Sequence, residues 1–301
     1  MRRIRLLRDL SVHGTVTATA RAAHLSGPAV SQQLAALEKE AGIQLLERRG
    51  RTLRLTPAGS LLVEHADVIL GGLAAAEADL EELRGGGHAT VRVAVFPSAA
   101  RVLLPRVWRG ISESTDPAPA LRVREHEPGA ALAALRRLEA DVAVIHAYSL
   151  LPRDVPPGCE QHHLTDEPVV LVIGPDVAGR HGVAPGEPVE LARFSAESWL
   201  MPGPDTTCHE LTRRACGASG FVPHPVALAS DFSVLTALAA AGAGVALVPW
   251  MSLPADAGDV RVHPLIEPVS RTISAVTRTG ESRRPHVSLV LGALRAASRD
   301  A

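Results

Sequence analysis

The sequence predicts an α/β protein with an all-α N-terminal domain carrying a winged helix-turn-helix, a long linker helix, and a C-terminal α/β domain of two lobes. Three observations predict these parts: helical spacing of apolar residues before residue 56, a heptad pattern over 62–83, and alternating strand and helix patterns after residue 90. A chain of 301 residues is long enough for two or three domains.

Charge is divided unevenly along the chain. Residues 1–60 contain ten Lys and Arg and four Asp and Glu, a formal charge of +6, whereas the remaining residues carry −7. A basic N-terminal domain on an acidic body indicates that only the first domain faces a polyanion.

Cysteine content and hydropathy indicate where the protein works. The three cysteines form no CxxC pair, which fits a reducing compartment. The basic N-terminus lacks the long apolar segment of a secretory signal, and the apolar run at 235–250 is interrupted by glycines. We expect a soluble, cytoplasmic protein without a membrane segment.

The first 56 residues predict a helix-turn-helix followed by a wing. Helices are expected before His13-Gly14 and from Thr15 to Ala23, and a third follows the turn at Leu25-Ser26-Gly27. Ser26 suits an N-cap, and the third helix ends at Gly42. The following segment, 47–56, has a glycine turn flanked by arginines and alternating leucines, which predicts a two-stranded wing.

A long helix is predicted from Pro57 to Arg84, before the glycine linker 85–87. Its apolar positions follow a strict 4,3 spacing, which is typical of a helix that pairs with a second copy. The alternative is an amphipathic helix that packs on its own domain. The predicted dimerisation residues are Leu62, Ala66, Ile69, Leu73, Ala76, Leu80 and Leu83.

From residue 90 onward, strands and helices alternate. Strands are predicted at 91–96, 121–126, 142–146, 168–173, 199–201, 225–229, 245–249 and 271–277, with helices at 99–109, 129–138, 208–216, 231–241 and 286–297. This pattern predicts an open sheet with helices on its faces, and about 210 residues favour two lobes. Ligands of such folds bind beyond the carboxyl ends of strands.

The N-terminal sequence resembles the LysR-type transcriptional regulators. The resemblance rests on the run Ala20…Ala23-His24-Leu25-Ser26-Gly27-Pro28-Ala29-Val30-Ser31-Gln32-Gln33-Leu34-Ala35-Ala36-Leu37-Glu38, on Gly42-Ile43-Gln44-Leu45-Leu46-Glu47-Arg48 and on Leu55-Thr56-Pro57-Ala58-Gly59. In the C-terminal part, 239–249 resembles the family's effector domain, a periplasmic-binding-protein-like pair of lobes. Gly27 departs from the family, which often has a polar side chain there.

The resemblance implies three domains with defined limits. The winged helix-turn-helix would span 1–58 and the linker and dimerisation helix 59–87. The effector-binding domain would span 88–301, with lobe I at 88–163 and 268–301 and lobe II at 164–267. The implied partners are double-stranded DNA at a two-fold-related promoter site, a small-molecule effector, a second or fourth copy of the chain, and RNA polymerase if the protein is an activator.

The DNA-contacting residues are expected on the third helix and the wing. Gln32 can pair with adenine and Ser31 with a base edge or a phosphate, whereas the wing arginines suit phosphates or the minor groove. Ordinary exposed polarity is the alternative. The predicted set is Ser26, Pro28, Ser31, Gln32, Arg48, Arg49, Arg51 and Arg54.

The effector site is expected between the lobes, as the resemblance implies. Hydroxyl groups at helix N-termini suit an anionic or polar ligand. The predicted lining is Ser98, Ala99, His146, Thr206, Thr207, Asp231, Phe232 and Pro249. For Ser98, Thr206 and Asp231 the alternative is simple helix capping, and His146 fits a buried core histidine equally well.

Two other functions stay open. Peroxide-sensing members of the family use two cysteines in the region of Cys208 and Cys216, so redox sensing is one alternative. A cytosolic ligand-binding protein or enzyme of the two-lobed fold is the other. The sequence has no GxSxG, P-loop, HExxH or post-strand GxGxxG motif, so we expect no enzyme, no catalytic residue, no metal and no cofactor.

Overall fold

The computed structural model describes residues 1–49, 52–85, 90–114 and 118–299. Its contacts divide the chain into two units: Met1–Gly87 with Ala133–Ala140, and His88–Leu132 with Asp141–Ala301. Within the described ranges, none of the helices is long and apolar enough to cross a lipid bilayer.

The N-terminal unit begins with three helices and a strand pair. These elements are α1 (Arg2–His13), α2 (Val16–Ala22), α3 (Gly27–Ala41), β1 (Leu46–Arg49) and β2 (Thr52–Leu55). The Thr15 and Ser26 hydroxyls cap α2 and α3, and Gly42 ends α3 in the left-handed conformation. Since β1 and β2 pair antiparallel, the predicted helix-turn-helix and wing are both present.

A tight junction fixes the start of the long helix α4 (Pro57–Gly85). The Thr56 hydroxyl accepts a hydrogen bond from Gly59 N at 3.0 Å and donates one to Gln44 O at 2.8 Å. A Cβ on Gly59 would lie 2.1 Å from Leu45 O, so only glycine allows this approach. The Thr-Pro-Ala-Gly run is therefore a structural requirement of this corner.

The heptad residues of α4 fall into two groups. Ala66 is fully buried, and Leu62 packs against the N-terminal core, so these two serve their own chain. Ile69, Leu73 and Leu80 are 48%, 40% and 54% exposed, and Ala76 is exposed as well. The side chain of Leu83 lies outside the described residues. The own-domain alternative thus holds only for the start of the helix.

The second unit is built on a seven-stranded sheet. Its elements up to residue 181 are β3 (Thr90–Val95), α5 (Pro97–Ser114), β4 (Ala120–Glu125), α6 (Pro128–Arg136), β5 (Val142–Tyr148), β6 (Cys159–Ile173) and α7 (Pro175–His181). Those that follow are β7 (Ser198–Pro202), α8 (Thr207–Ala218), β8 (His224–Ala229), α9 (Phe232–Ala240), β9 (Ala246–Pro249), β10 (Arg261–His263), β11 (Val269–Arg278) and α10 (Pro285–Arg299).

The long strands β6 and β11 join the two halves of this unit. The strand order is β10-β6-β11-β5-β3-β4, with β9 beside β6, while β7 and β8 form a separate parallel pair. One buried apolar cluster includes β3, α5 and α10, and another includes the end of β6, α7 and α8. Both clusters contain residues of β6 or β11, so these strands pass between two cores.

Two short elements and one long strand differ from the sequence prediction. The sequence analysis left out α7 and β10, and it began the strand of β6 at Pro168 instead of Cys159. The polar run 159–167 lacks apolar alternation, but it pairs with β11 from Cys159 opposite Arg278 onward. Pairing between distant segments, rather than local propensity, makes this run a strand.

Candidate functional site

Helix α3 presents a polar face above an apolar core. Val30, Leu34 and Leu37 are buried, whereas Ser31 and Gln32 are exposed. Pro28 is exposed in the first turn. We call Pro28, Ser31 and Gln32 the reading face, and all three side chains are exposed to solvent.

Neighbouring polar residues of this domain have structural partners. The Ser26 hydroxyl accepts a hydrogen bond from Ala29 N at 3.3 Å, which is the capping role of that residue. The Glu38 carboxylate accepts from Leu45 N at 2.9 Å and from Leu46 N at 3.0 Å, and so ties α3 to the start of the wing. The sequence analysis assigned Glu38 no structural role.

The wing arginines are described only in part. Arg54 on β2 is exposed, opposite Glu47 on β1. Arg51 and the side chains of Arg48 and Arg49 lie outside the described residues. Among the wing arginines, Arg54 thus has a described side chain, and this side chain is exposed to solvent.

In the second unit, a buried ion pair lies where β6 and β11 pair side by side. Arg271 is 2% exposed and Glu167 is 7% exposed, and their side chains form a salt bridge. Glu167 also accepts a hydrogen bond from Met251 N at 2.5 Å, and Arg271 donates one to Ser98 Oγ at 3.1 Å. The pair thus connects the two long strands with the start of α5.

His146, at the end of β5, lies against the same ion pair. Its ring makes edge contacts with Phe96 at 4.6 Å and with Tyr148 at 5.1 Å between centroids. Burial, together with the positive charges of Arg271 and Arg153, lowers the pKa of His146 well below its usual value, so the imidazole is neutral. Among the described residues, Nδ1 of this ring has no hydrogen-bond partner.

Glu127 and Cys208 border this group. Glu127 Oε2 lies 4.0 Å from His146 Nε2, and burial raises the pKa of Glu127 against the opposing effect of two arginines. Cys208, in the first turn of α8, belongs with Tyr148 to one buried cluster. We call Ser98, Glu127, His146, Tyr148, Glu167, Cys208 and Arg271 the Arg271 cluster.

The structure brings only some of the predicted effector residues into this cluster. Ser98 and His146 belong to it, and Thr206 and Thr207 precede Cys208 at the start of α8. The Thr206 hydroxyl is engaged twice, as the cap of α8 and as a donor to Gly203 O at 2.7 Å.

The other predicted residues have packing or capping roles. Ala99 is fully buried in the core that includes α5, and Pro249 is buried at the end of β9. Phe232 packs against two apolar clusters. Asp231 caps α9 through Ser233 N at 2.8 Å and lies in the field of Arg101.

Sequence reasoning missed four members of the cluster: Glu127, Tyr148, Glu167 and Arg271. A signal existed for two of them, since Glu167 and Arg271 are charged residues beside apolar strand segments. Charged residues are almost never fully buried unless they are paired. In the described part of the chain, no group of His, Cys, Asp and Glu side chains could hold a metal ion.

Taken together, these features define a class of protein. A winged helix-turn-helix with an exposed reading face is joined to an α/β domain that carries a buried polar cluster at its crossing strands. This combination is that of a ligand-responsive DNA-binding regulator.

Comparison with known families identifies the particular family. Residues 1–60 match the bacterial regulatory helix-turn-helix protein, lysR family, and residues 84–299 match the LysR substrate binding domain. The chain therefore belongs to the LysR family. It is a DNA-binding transcriptional regulator with an effector-binding domain, and the relatives OxyR and CbbR are regulators.

Relatives of two kinds are similar along nearly the whole chain. A probable hydrogen peroxide-inducible genes activator of Streptomyces viridosporus is 28% identical over 288 residues, 93% of this chain and 88% of the relative. The regulator CbbR of Rhodospirillum rubrum is 26% identical over 304 residues, 99% of this chain and 97% of the relative.

A solved structure confirms the fold class. A mutant of OxyR from Corynebacterium glutamicum superimposes with a TM-score of 0.59 at 26% identity, covering 99% of this chain and 91% of that one. The resemblance, the fold class and the regulator function predicted from the sequence are thereby confirmed.

Proposed function

We propose that the Arg271 cluster is the effector site and that it binds a small polar molecule. The observation that carries this proposal is the unpartnered Nδ1 of His146, an atom buried beside the Arg271–Glu167 ion pair. A buried polar atom without a hydrogen-bond partner costs free energy. A ligand that forms a hydrogen bond with this atom removes that cost, and its binding is stabilised accordingly.

Charge around the cluster favours a polar ligand without a large net charge. Arg271 is balanced by Glu167, and Arg153 lies in the field of Glu127. Ser98 still has a hydroxyl hydrogen to donate, because its oxygen accepts from Arg271. The predicted members Thr206 and Thr207 lie at the margin of this site, since they precede Cys208 at the start of α8.

A ligand screen with matched variants tests the effector site. Thermal unfolding of the whole protein would be followed with a panel of small organic acids, alcohols and amides. A true effector raises the melting temperature of wild type, because it binds only the folded state. The shift should vanish in Ser98→Ala and His146→Phe and persist in His163→Ala, whose ring is exposed and bonded to Asp166. Hits that survive both cluster variants would place the effector elsewhere.

For DNA, the reading face enters the major groove, and the wing arginines Arg48, Arg49, Arg51 and Arg54 contact the backbone. Exposure of Ser31 and Gln32 supports this assignment. Ser26 contributes through its cap, which positions the first turn of α3. The domain limits 1–58, 59–87 and 88–301 are part of the same proposal, as is a cytoplasmic location, where the DNA target is found.

The exposed stripe of α4, formed by Ile69, Leu73, Ala76 and Leu80, is proposed as the dimer contact. Apolar side chains repeating along a helix gain free energy when a second helix covers them. Two paired chains would present two reading faces to a two-fold-related site. Leu73→Asp should reduce the mass seen by light scattering, whereas Glu64→Asp, at an exposed acidic position, should not. An unchanged mass for Leu73→Asp would overturn this contact.

Peroxide sensing through Cys208 and Cys216 is the second candidate, favoured by the description of the Streptomyces viridosporus relative. Burial raises the pKa of Cys208 to about 11 and that of Cys216 to about 12. Thiols with such pKa values hold little thiolate at neutral pH, and the thiolate is the reactive form. We therefore favour the small-molecule effector.

Hydrogen peroxide separates the two candidates. DNA affinity would be measured before and after peroxide treatment of wild type, Cys208→Ser and Cys216→Ser. Unchanged affinity in all three proteins supports the small-molecule effector. A change seen in wild type and lost in both serine variants would establish redox sensing instead.

A further inference from the structure

A cavity of about 570 Å³ lies at the far end of α8 from the Arg271 cluster. Its walls come from the last turn of α8, the 3-10 helix Leu191–Phe194 with the residues before it, and the segment 265–269 ahead of β11. This volume is within the range of small-molecule sites.

The floor of the cavity is apolar and buried. It is formed by Val189, Leu191, Ala215, Leu265 and Val269, each less than 10% exposed. Side chains of this kind favour an apolar ligand body, because contact with it removes water from both surfaces.

The charged side chains at the rim are both carboxylates, Glu190 and Glu267. Both residues are exposed, and within the described part of the chain neither side chain forms an ion pair or a hydrogen bond. No Lys or Arg lines the cavity. The rim is thus complementary to a positive charge.

We propose that this cavity is a second ligand site, which takes an apolar molecule carrying an ammonium group. The apolar body lies on the floor, and the ammonium group lies between Glu190 and Glu267 at the rim. The site is separate from the proposed effector site, and its existence does not depend on that assignment.

The cavity also has a physical connection to the effector site. Ala215 and Ala218, on the last turns of α8, line the cavity, whereas Cys208 at the start of the helix contacts Tyr148. Leu150, another lining residue, follows Tyr148 by two positions, and its carbonyl accepts a hydrogen bond from Arg214 at 3.2 Å. A ligand here contacts two of the segments that carry or adjoin members of the Arg271 cluster, namely α8 and the chain that follows β5.

Three probes with one scaffold test the proposal by calorimetry on the full chain: 3-phenylpropylamine, 3-phenylpropan-1-ol and 3-phenylpropionate. We expect the amine to bind most tightly, the alcohol less tightly, and the carboxylate not measurably. The double variant Glu190→Gln/Glu267→Gln should weaken the amine by about fivefold, as for exposed charge pairs, and leave the alcohol unchanged. Glu113→Gln, an exposed glutamate on α5, is the matched control.

Filling the cavity locates the binding. Ala218→Trp, at an exposed position on the cavity wall, should abolish binding of the amine, and Ala192→Trp on the opposite wall is the second variant if the first does not fold. His146→Phe should leave amine binding intact. The proposal is overturned if the amine binds no better than the carboxylate, if a folded filling variant binds normally, or if His146→Phe removes the binding.

Discussion

The reading face of α3 and the Arg271 cluster both carry polar side chains, but the first is exposed to solvent and the centre of the second is buried in protein. Ser31 and Gln32 are exposed, and the buried residues of the same helix are apolar. Replacing either polar side chain therefore removes no buried contact. Arg271, Glu167 and His146 are each less than 10% exposed, and the buried charges of Arg271 and Glu167 depend on each other. Substitutions should therefore affect function alone on α3, but function and stability together in the cluster.

The largest effect is expected from Glu167→Ala, which leaves the buried Arg271 without its counter-charge. Loss of one member of a buried pair costs about 3–5 kcal/mol of unfolding free energy. Urea denaturation of the whole protein would measure this loss. Asp166→Ala, at the exposed neighbouring position, should cost less than about 1 kcal/mol. Similar losses in both variants would remove the distinction between the buried cluster and the surface.

The next largest effect is expected at a glycine of the N-terminal unit where a backbone oxygen leaves no room for a side chain. Gly59→Ala places a methyl group against Leu45 O and should destabilise the unit by about 1–3 kcal/mol. Gly27→Ala is the matched control, since no atom lies within 4 Å of its Cβ, and its melting temperature should stay near that of wild type. A loss in Gly27→Ala as large as in Gly59→Ala would contradict this steric account.

On the reading face, Gln32→Ala should change DNA selectivity without changing stability. We expect a loss of about 1–3 kcal/mol in discrimination between the operator and a scrambled sequence, measured by fluorescence anisotropy. The unfolding free energy should stay within about 0.5 kcal/mol of wild type. Gln33→Ala serves for comparison, because that amide bonds to Arg3 inside the unit at 3.0 Å. Equal weakening on both DNA sequences would show that Gln32 contributes affinity but not specificity.

The smallest effect concerns pH and the buried imidazole. His146 has a pKa below 6.5 in the folded protein, so the unfolded chain binds a proton first as the pH falls. The stability due to its neutral form is complete above about pH 6.5 and is lost below it, by at most about 1.4 kcal/mol per pH unit. Subtracting the pH profile of His146→Phe from that of wild type isolates this contribution. Parallel profiles would mean that folding does not shift the pKa of His146, and would contradict this account.

Local patterns in the sequence were sufficient for the DNA-binding region. The 4,3 spacing of apolar residues, the caps at Thr15 and Ser26, and the Thr-Pro-Ala-Gly run each act within a few residues. The end of α1 at His13 and both ends of α3 therefore agree with the prediction. The heptad pattern was less decisive, because an apolar residue such as Ala66 fits its own domain as well as a partner helix.

Of the Arg271 cluster, the sequence pointed to Ser98 and His146 as ligand-binding residues but not to their charged neighbours, since the main contacts of the cluster join distant segments. Ser98 and Arg271 are 173 positions apart, and Glu167 and Arg271 are 104 apart. A serine before a predicted helix is visible in the sequence, but its arginine partner is not. The same holds for the cavity beside α8, whose walls come from four separate stretches of chain.

The sequence by itself determined the family, the helix-turn-helix, the wing and the alternation of strands and helices, because periodicity and capping are properties of neighbouring residues. The tertiary structure decided which polar groups are buried, which of them are paired, and that the imidazole of His146 is left with an unpartnered nitrogen. Burial and pairing depend on the register of β6 against β11, which brings Glu167 opposite Arg271. That register is set by the packing of two whole cores, and no short stretch of sequence contains it.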